Sequence, residues 1–377
     1  MNCCLQALSE QGPAAARRYF EIALEHHPGF LQAKARLAEC QRRMGEIESA
    51  RQLTSELLLE AQSRGDRSLE AHSTRALGLL SALDGDLNQA RNYYSQAFTL
   101  YLDLADQPAR AEVLFELARL ALADNDSTRA EALYIERLGI QQGLGDRLGE
   151  ADTLFQIGSL LLSSGDLEGA SQVLTDAREL SLQAGDVWSE MRIAASLGEV
   201  AQRRGDVEAA KTLWRRAVAF YDQRQETARR LLLSYKLAEA LVRTGELDEA
   251  EDRFHGIREL AIELGDESYE AKSSLGLAWL LLRSGYPYQA KPHLDRVLEL
   301  DRHLEDRVLL QLVIAWYAYE QGNYTLAVNT QLDVKQRSPG RWAPIDESFL
   351  QVFQQAEIAG ERLPLPGEEG FVAPGRN

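Results

Sequence analysis

Histidine and cysteine, which hold metals and act as bases and nucleophiles in many enzymes, are sparse in this sequence, and their spacing matches no known site. The six histidines are His26, His27, His72, His255, His293 and His303. None of them forms a His-Glu-x-x-His pattern, and the three cysteines, Cys3, Cys4 and Cys40, include no Cys-x-x-Cys pair. Zinc sites need nitrogen and sulfur ligands at such spacings. We therefore predict no metal, no cofactor and no catalytic residue, and we expect that the protein is not an enzyme.

Two glycine-containing motifs have functional counterparts in other proteins. Residues Gly143–Gly145 with Gly149 look like a glycine-rich dinucleotide loop, which must follow a strand and open a helix. The tripeptides Arg64–Asp66 and Arg204–Asp206 match a short adhesion signal. All three motifs lie where the repeat described below places a turn. We interpret them as turns between helices.

Composition and charge narrow the classes of function. The chain has 377 residues, of which 45% are hydrophobic and 26% charged, as in a well-packed globular protein. Its net charge of −17 disfavours nucleic acid as a partner. No apolar run is long enough for a membrane span, and the start lacks the features of a secretory signal. With so few cysteines, we expect a reduced, cytoplasmic setting.

Turn residues recur at a fixed interval. A Gly or Asn followed by a mostly acidic or polar residue stands every forty residues at Gly45, Gly85, Asn125, Gly165, Gly205, Gly245 and Gly285, with a further turn at Gly322-Asn323. Alanine stands five residues after each turn, at Ala50, Ala90, Ala130, Ala170, Ala210, Ala250, Ala290 and Ala327. Such regular spacing is the signature of a repeat protein.

Each repeat contains two helical segments. A second set of turns lies between the first, at Gly65-Asp66, Ala105-Asp106, Gly145-Asp146, Gly185-Asp186, Gly265-Asp266 and Glu305-Asp306. Between turns the apolar spacing is close to 3.6, as in Leu154, Ile157 and Leu161. Glycine ends a helix and the following aspartate caps the next one. The pattern predicts antiparallel helices joined by short turns.

Small residues recur where the two helices of a repeat must approach closely. Position eight of successive repeats holds Ala38, Gly78, Ala118, Gly158, Gly198, Ala238, Ala278 and Ala315. A larger apolar residue precedes each, at Leu37, Leu77, Leu117, Ile157, Leu197, Leu237, Leu277 and Ile314. This alternation places a large side chain next to a small one at the same position of every repeat, so that the two helices of a hairpin can pack closely.

At these positions the sequence resembles the tetratricopeptide repeat family. That pattern has alanine at position twenty, a large apolar residue at twenty-four and a small one at twenty-seven. The last two positions are matched by Tyr94/Ala97, Leu174/Ala177 and Trp214/Ala217. Near the start, a unit of the usual length carries Ala16, Phe20, Ala23 and Pro28. The later units look like a forty-residue variant, without the usual tryptophan at position four. The resemblance covers about residues 1 to 337.

The resemblance implies an all-α fold, an α-solenoid that winds as a right-handed superhelix. We expect a truncated first hairpin over 1–30, with Cys3 and Cys4 facing inward, so that the chain is the tail of a longer protein or lacks an N-terminal neighbour. Eight repeats should start near residues 31, 71, 111, 151, 191, 231, 271 and 308, and end at 337. We predict a capping helix within 338–362 and a disordered tail over 363–377, which is rich in Pro and Gly.

The resemblance also implies where a partner would bind. In this family the concave groove is lined by first-helix side chains, which here map to Phe115, Phe155, Arg203, Tyr235, Arg243, Trp279, Arg283, Trp316 and Tyr319. Aromatic and arginine side chains dominate the binding energy of protein interfaces. We therefore predict a scaffold that binds a partner protein or peptide in this groove. The alternative is a ligand-sensing regulatory region of a larger signalling protein or transcription regulator. A third reading makes several of these side chains simple packing residues.

Overall fold

The computed structural model describes residues 12–300, 302, 307–338, 344–366 and 368. These residues contain helices and no strand, so the prediction of an all-α solenoid fold is confirmed. Cys3 and Cys4, the start of the predicted first hairpin, and residues 369–377 lie outside the described residues.

Helices are numbered here in chain order. The first nine are α1 Pro13–His26, α2 Leu31–Arg43, α3 Ile47–Arg64, α4 Arg67–Leu83, α5 Leu87–Asp103, α6 Gln107–Ala123, α7 Ser127–Leu144, α8 Arg147–Ser164 and α9 Leu167–Ala184. The others are α10 Val187–Arg203, α11 Val207–Gln223, α12 Thr227–Thr244, α13 Leu247–Leu264, α14 Glu267–Arg283, α15 Pro287–Glu299, α16 Arg307–Glu320, α17 Tyr324–Arg337 and α18 Pro344–Ala359.

Most tertiary contacts join helices that are neighbours in the sequence. The chain divides into two compact units, Met1–Ile193 and Ala194–Asn377, and the boundary falls within α10. In each unit a helix packs against the one before it and the one after it, which makes a series of antiparallel hairpins. This pattern of near-neighbour contacts is that of a repeat solenoid.

The turns have the geometry that their residue types predict. Gly65 and Gly145 have φ of +66° and +69°, in the left-handed region where a Cβ is strained. Asp66 and Asp146 then accept a hydrogen bond from the backbone N–H three residues later. The same cap is formed by Asp86, Asp106, Asp126, Asp166, Asp206 and Asn323. The glycine motifs at 64–66 and 143–145 are therefore helix ends.

The small residues of the first helices receive large side chains of the second helices. A Cβ added to Gly198 in α10 would lie 2.5 Å from Nε1 of Trp214 in α11, which is fully buried. An added Cβ at Gly158 would lie 2.6 Å from Cγ of Leu174. Glycine at these positions therefore lets the helices approach closely. In these two hairpins, close packing of a large side chain against a glycine holds the helices together.

The segment after α18 corrects one prediction from the sequence. Residues 363–366 were expected to be disordered, but Leu365 is 1% exposed and packs with the core formed by Tyr319, Phe353 and their neighbours. The chain turns at Gly360, and Leu363 forms two hydrogen bonds with Tyr319. Proline and glycine content alone predicted disorder, and it gave no indication of this apolar anchor.

Candidate binding surface

Two of the predicted aromatic residues in the first unit lie under arginine side chains. Phe115 in α6 and Phe155 in α8 are half-buried. The guanidinium carbon of Arg137, from α7, lies 4.7 Å from the centre of the Phe115 ring. The guanidinium carbon of Arg192, from α10, lies 4.2 Å from the centre of the Phe155 ring. Both distances are within the range of a cation–π interaction.

Asp152 connects the two arginines. Its Oδ2 lies 3.1 Å from Nη1 of Arg137, and its Oδ1 lies 2.9 Å from Nη2 of Arg192. Charge-assisted hydrogen bonds of this kind are shorter and stronger than neutral ones. The five residues Phe115, Arg137, Asp152, Phe155 and Arg192, which we call the arginine–phenylalanine cluster, thus join α6, α7, α8 and α10.

Buried polar side chains lie next to Arg137 in this cluster. Arg137 also donates to Oγ1 of Thr153 at 2.7 Å, and Thr153 donates to Gln141 at 2.5 Å. The hydroxyl of the buried Tyr134 has no hydrogen-bond partner among the described residues, and burial raises its pKa. The hydrogen bonds to Asp152 and Thr153 fix the position of the Arg137 guanidinium.

Arg137 is the residue that the sequence reasoning missed. Its position in the repeat is twenty-seven, where Ala97, Ala177 and Ala217 stand in other repeats. A charged side chain at a position that holds small or apolar residues in the other repeats was a visible signal. The arginine of this position reaches outward between α6 and α8, and its side chain is 12% exposed. Its long aliphatic stem allows the charged end to leave the hairpin core.

The predicted residues of the second unit form smaller groups. Arg283 lies over Trp279, with 5.2 Å between the guanidinium carbon and the ring centre, and both belong to α14. Tyr235 in α12 meets Phe254 and Tyr269 with ring centres 6.1 and 5.9 Å apart. Arg243 is exposed at the end of α12. The structure therefore brings Trp279 and Arg283 together, and leaves Arg243 at the surface.

Arg203, at the end of α10, belongs to a charged group of first helices. It donates to Glu199 at 2.8 Å, and Lys236 in α12 donates to the same carboxylate at 2.6 Å. Burial would raise the pKa of Glu199, but hydrogen bonds from Lys236 and the nearby positive charges outweigh it and lower that pKa. Glu199 is thus held ionised between two neighbouring helices.

Trp316 and Tyr319 in α16 are covered by the helix that follows the repeats. The Trp316 ring centre lies 5.1 Å from that of Phe349 in α18. Tyr319 is completely buried and stacks on Phe353 at 4.5 Å. The sequence predicts that Tyr319 lines the exposed concave groove. In the structure, α18 and the segment that follows this helix cover the Tyr319 side chain. Tyr319 is therefore a packing residue here.

A cleft in the second unit contains charged groups that are already paired. Its volume is about 590 Å³, and it lies between α11, α12 and α13. Arg215 and Arg253 both bind Glu249, at 2.6 and 3.1 Å, while Arg230 pairs with Asp222. Each of these three arginines is thus paired with a carboxylate, and the carboxylate of Asp252 also lines the cleft.

No cluster of three or more His, Cys, Asp or Glu side chains suited to a metal ion is found in the described part of the chain. None of the described helices has the length and apolar character needed to cross a bilayer.

Comparison with family profiles identifies the repeats. Profiles described as tetratricopeptide repeat match residues 7–71, residues 191–216 with 232–255, and residues 275–341. The chain is a tetratricopeptide repeat protein. Among curated proteins, no relative matches the sequence.

Solved structures share the fold of this tetratricopeptide repeat protein at low sequence identity. The apo form of RapI is 15% identical, with 96% of this chain and 98% of that chain covered and a TM-score of 0.66. A Rap protein complexed with Competence and Sporulation Factor is 18% identical over 90% of this chain and 98% of that chain, with a TM-score of 0.53.

A third similar structure comes from Pyrococcus horikoshii. It is a signal transduction ATPase with numerous domains that carries a tetratricopeptide repeat sensor. The identity is 10%, the TM-score is 0.61, and the match covers 94% of this tetratricopeptide repeat protein and 55% of that chain. At such identities the similarity is one of fold.

Proposed function

We propose that this chain is a non-catalytic scaffold whose first helices bind a segment of a partner protein or a peptide. The observation that carries the proposal is the arginine–phenylalanine cluster in the first unit. A fold of hairpins presents side chains from successive helices along one surface, which suits an extended partner. Fold alone does not assign this role, so the argument rests on the cluster.

The cluster has the composition and the rigidity of a binding hot spot. Arginine and aromatic side chains are enriched where truncation costs most binding energy. The Arg192 side chain is 34% exposed, so it remains accessible while Phe155 and Asp152 hold it. A side chain that is already ordered loses less entropy when a partner binds.

The second unit contributes its own candidate contacts. We include Tyr235, Trp279 and Arg283 on α12 and α14, together with the exposed guanidiniums of Arg203 and Arg243. Trp316, whose ring is partly covered by Phe349, remains a candidate contact. Tyr319 is left out because it is buried.

A regulatory role is the second candidate. The structure with a TM-score of 0.53 is a Rap protein complexed with Competence and Sporulation Factor, so a protein of this fold forms a complex with that factor. The tetratricopeptide repeats of the Pyrococcus horikoshii protein are described as a sensor. On this second reading, ligand binding to the first helices would change the output of a larger signalling protein.

The test compares partners captured by the wild type and by Phe155→Ala/Arg192→Ala. We expect the double variant to lose affinity for its partner by roughly thirtyfold, the size of an interface hot spot. Ile135→Ala is the matched control, because Ile135 is 56% exposed on α7 and belongs to no cluster described above. A parallel variant, Trp279→Ala, tests the second unit.

The outcome that rejects the proposal is also defined. If the double variant has wild-type helicity and retains every partner with unchanged affinity, the cluster is not a binding surface. If only Trp279→Ala weakens binding, the partner contacts the second unit instead.

A further inference from the structure

The segment that follows α18 binds to the last repeat in the manner of an extended peptide. The chain turns at Gly360 and passes the C-terminal end of α16. The hydroxyl of Tyr319 donates to the carbonyl oxygen of Leu363 at 2.5 Å and accepts from the N–H of the same residue at 2.7 Å. A single buried side chain thus satisfies both backbone groups of one residue, as a strand partner would.

An ion pair fixes the residue before Leu363. Arg362 donates to Glu320 with its Nε and Nη2, each at 3.0 Å from a different carboxylate oxygen. This is the two-point geometry that arginine forms with a carboxylate. The Glu320 side chain is only 9% exposed, so its charge is matched by Arg362 in a place with little water.

Leucine and proline complete the contact. Leu365 is 1% exposed and packs in the core that contains Phe353, while Leu363 packs at its edge. In an extended chain, residues two apart share a face, which brings both leucines to the same surface. Pro364 and Pro366 fix their own φ angles and favour an extended backbone before any contact is made.

We propose that Tyr319, Glu320 and Phe353 form a binding site for an extended peptide of the type Arg-Leu-Pro-Leu, which residues Arg362–Pro366 of the same chain occupy. The Tyr319 hydroxyl binds the peptide backbone, and the Glu320 carboxylate binds the arginine side chain. The leucine side chain packs in the apolar core that contains Phe353. An external segment with this chemistry binds when the internal one leaves.

The covalent connection decides which segment occupies the site. Only Gly360 and Glu361 separate α18 from Arg362, so the internal segment competes at an effective concentration on the order of millimolar. A free peptide must exceed that concentration, or the internal segment must be weakened. This site lies on α16 and α18, and the arginine–phenylalanine cluster lies on α6, α7, α8 and α10, so the two proposals can fail separately.

The experiment measures binding of a labelled peptide with the sequence of residues 361–368 to the full chain by fluorescence anisotropy. In Leu365→Asp the internal segment loses its buried anchor, and we expect the peptide to bind this variant at least tenfold more tightly than the wild type. Arg362→Ala removes the ion pairs with Glu320 and Glu368 but leaves Leu365 in place, so it should give a smaller gain in the same direction. Glu361→Ala is the control, since Glu361 is exposed, and should behave as the wild type.

Specificity is tested in the Leu365→Asp background. Adding Tyr319→Phe keeps the ring and removes the hydroxyl, and should weaken peptide binding at least fivefold. A peptide with glutamate in place of its arginine should bind at least tenfold more weakly, because Glu320 repels it. The proposal is overturned if Arg362→Ala and Leu365→Asp, with native circular dichroism, bind no more peptide than the wild type. Equal binding with and without the tyrosine hydroxyl would also overturn it.

Discussion

At the scale of single residues, the contact between Gly198 and Trp214 shows how strictly the hairpins are packed. The indole is fully buried, and its Nε1 donates to the carbonyl oxygen of Ala195 at 3.0 Å. The ring therefore cannot move away from α10 without losing a buried hydrogen bond. A residue that forms no side-chain contact of its own thus sets the distance between two helices.

Gly198→Ala should destabilise the protein by about 1–3 kcal/mol, because the new methyl group overpacks against the indole. Urea unfolding measures the change. Gly256→Ala is the matched control, since a Cβ there meets nothing within 4 Å. In the interior of α13 it should be neutral or stabilise by about 0.5–1 kcal/mol through helix propensity. Equal effects of the two substitutions would contradict the close-packing argument.

At the scale of helices, the sequence predicts the features that depend on residues close together in the chain, such as helix ends and caps. Gly65 and Asp66 end one helix and cap the next through bonds within a few residues, so their spacing is sufficient to predict the turn. Arg137 and Tyr319 depend on residues far away in the sequence, Asp152 and Leu363 among them. The periodicity of the repeat contains no information on such pairs, so they could not be predicted from the sequence.

One contact between second helices makes stability depend on pH. The rings of His255 in α13 and His293 in α15 are 6.1 Å apart. Burial, and then the charges of Arg258 and His255, lower the pKa of His293 to about 4. In the unfolded chain an unperturbed histidine titrates near 6.5. Between pH 6.5 and 4 the histidine is protonated in the unfolded state but stays neutral in the folded state. The free energy of unfolding therefore decreases as the pH falls from 6.5 to 4.

His293→Gln should therefore flatten the pH dependence of the free energy of unfolding in that window, as measured by urea titrations at several pH values. The substitution His26→Gln, at the exposed end of α1, is the control and should leave the slope unchanged. A slope that is the same in wild type and His293→Gln would show that other groups cause the acid sensitivity.

At the scale of the whole molecule, stability is distributed over many small interfaces. Each helix packs mainly on its sequence neighbours, and the chain forms two compact units. In repeat proteins of this kind, stability is a sum of local terms, and sections can open separately. Damage to one hairpin should thus remain near that hairpin.

Hydrogen exchange can measure this locality in Gly198→Ala. We expect faster exchange of amides in α10 and α11, and unchanged exchange in α4 and α5 of the first unit. The control Gly256→Ala should leave both regions as in the wild type. A uniform increase over all helices would mean that the chain unfolds as one cooperative body, which would contradict the local arrangement of contacts.

The aspartates at the turns have a consequence for how such a chain changes in length. Asp86 and Asp166 each accept a hydrogen bond from an amide of the helix that they open. A hairpin with such caps therefore forms its turns from residues that are close together in the sequence. Duplication or deletion of a whole hairpin leaves the remaining turns intact, so the array can grow or shrink by complete units during evolution.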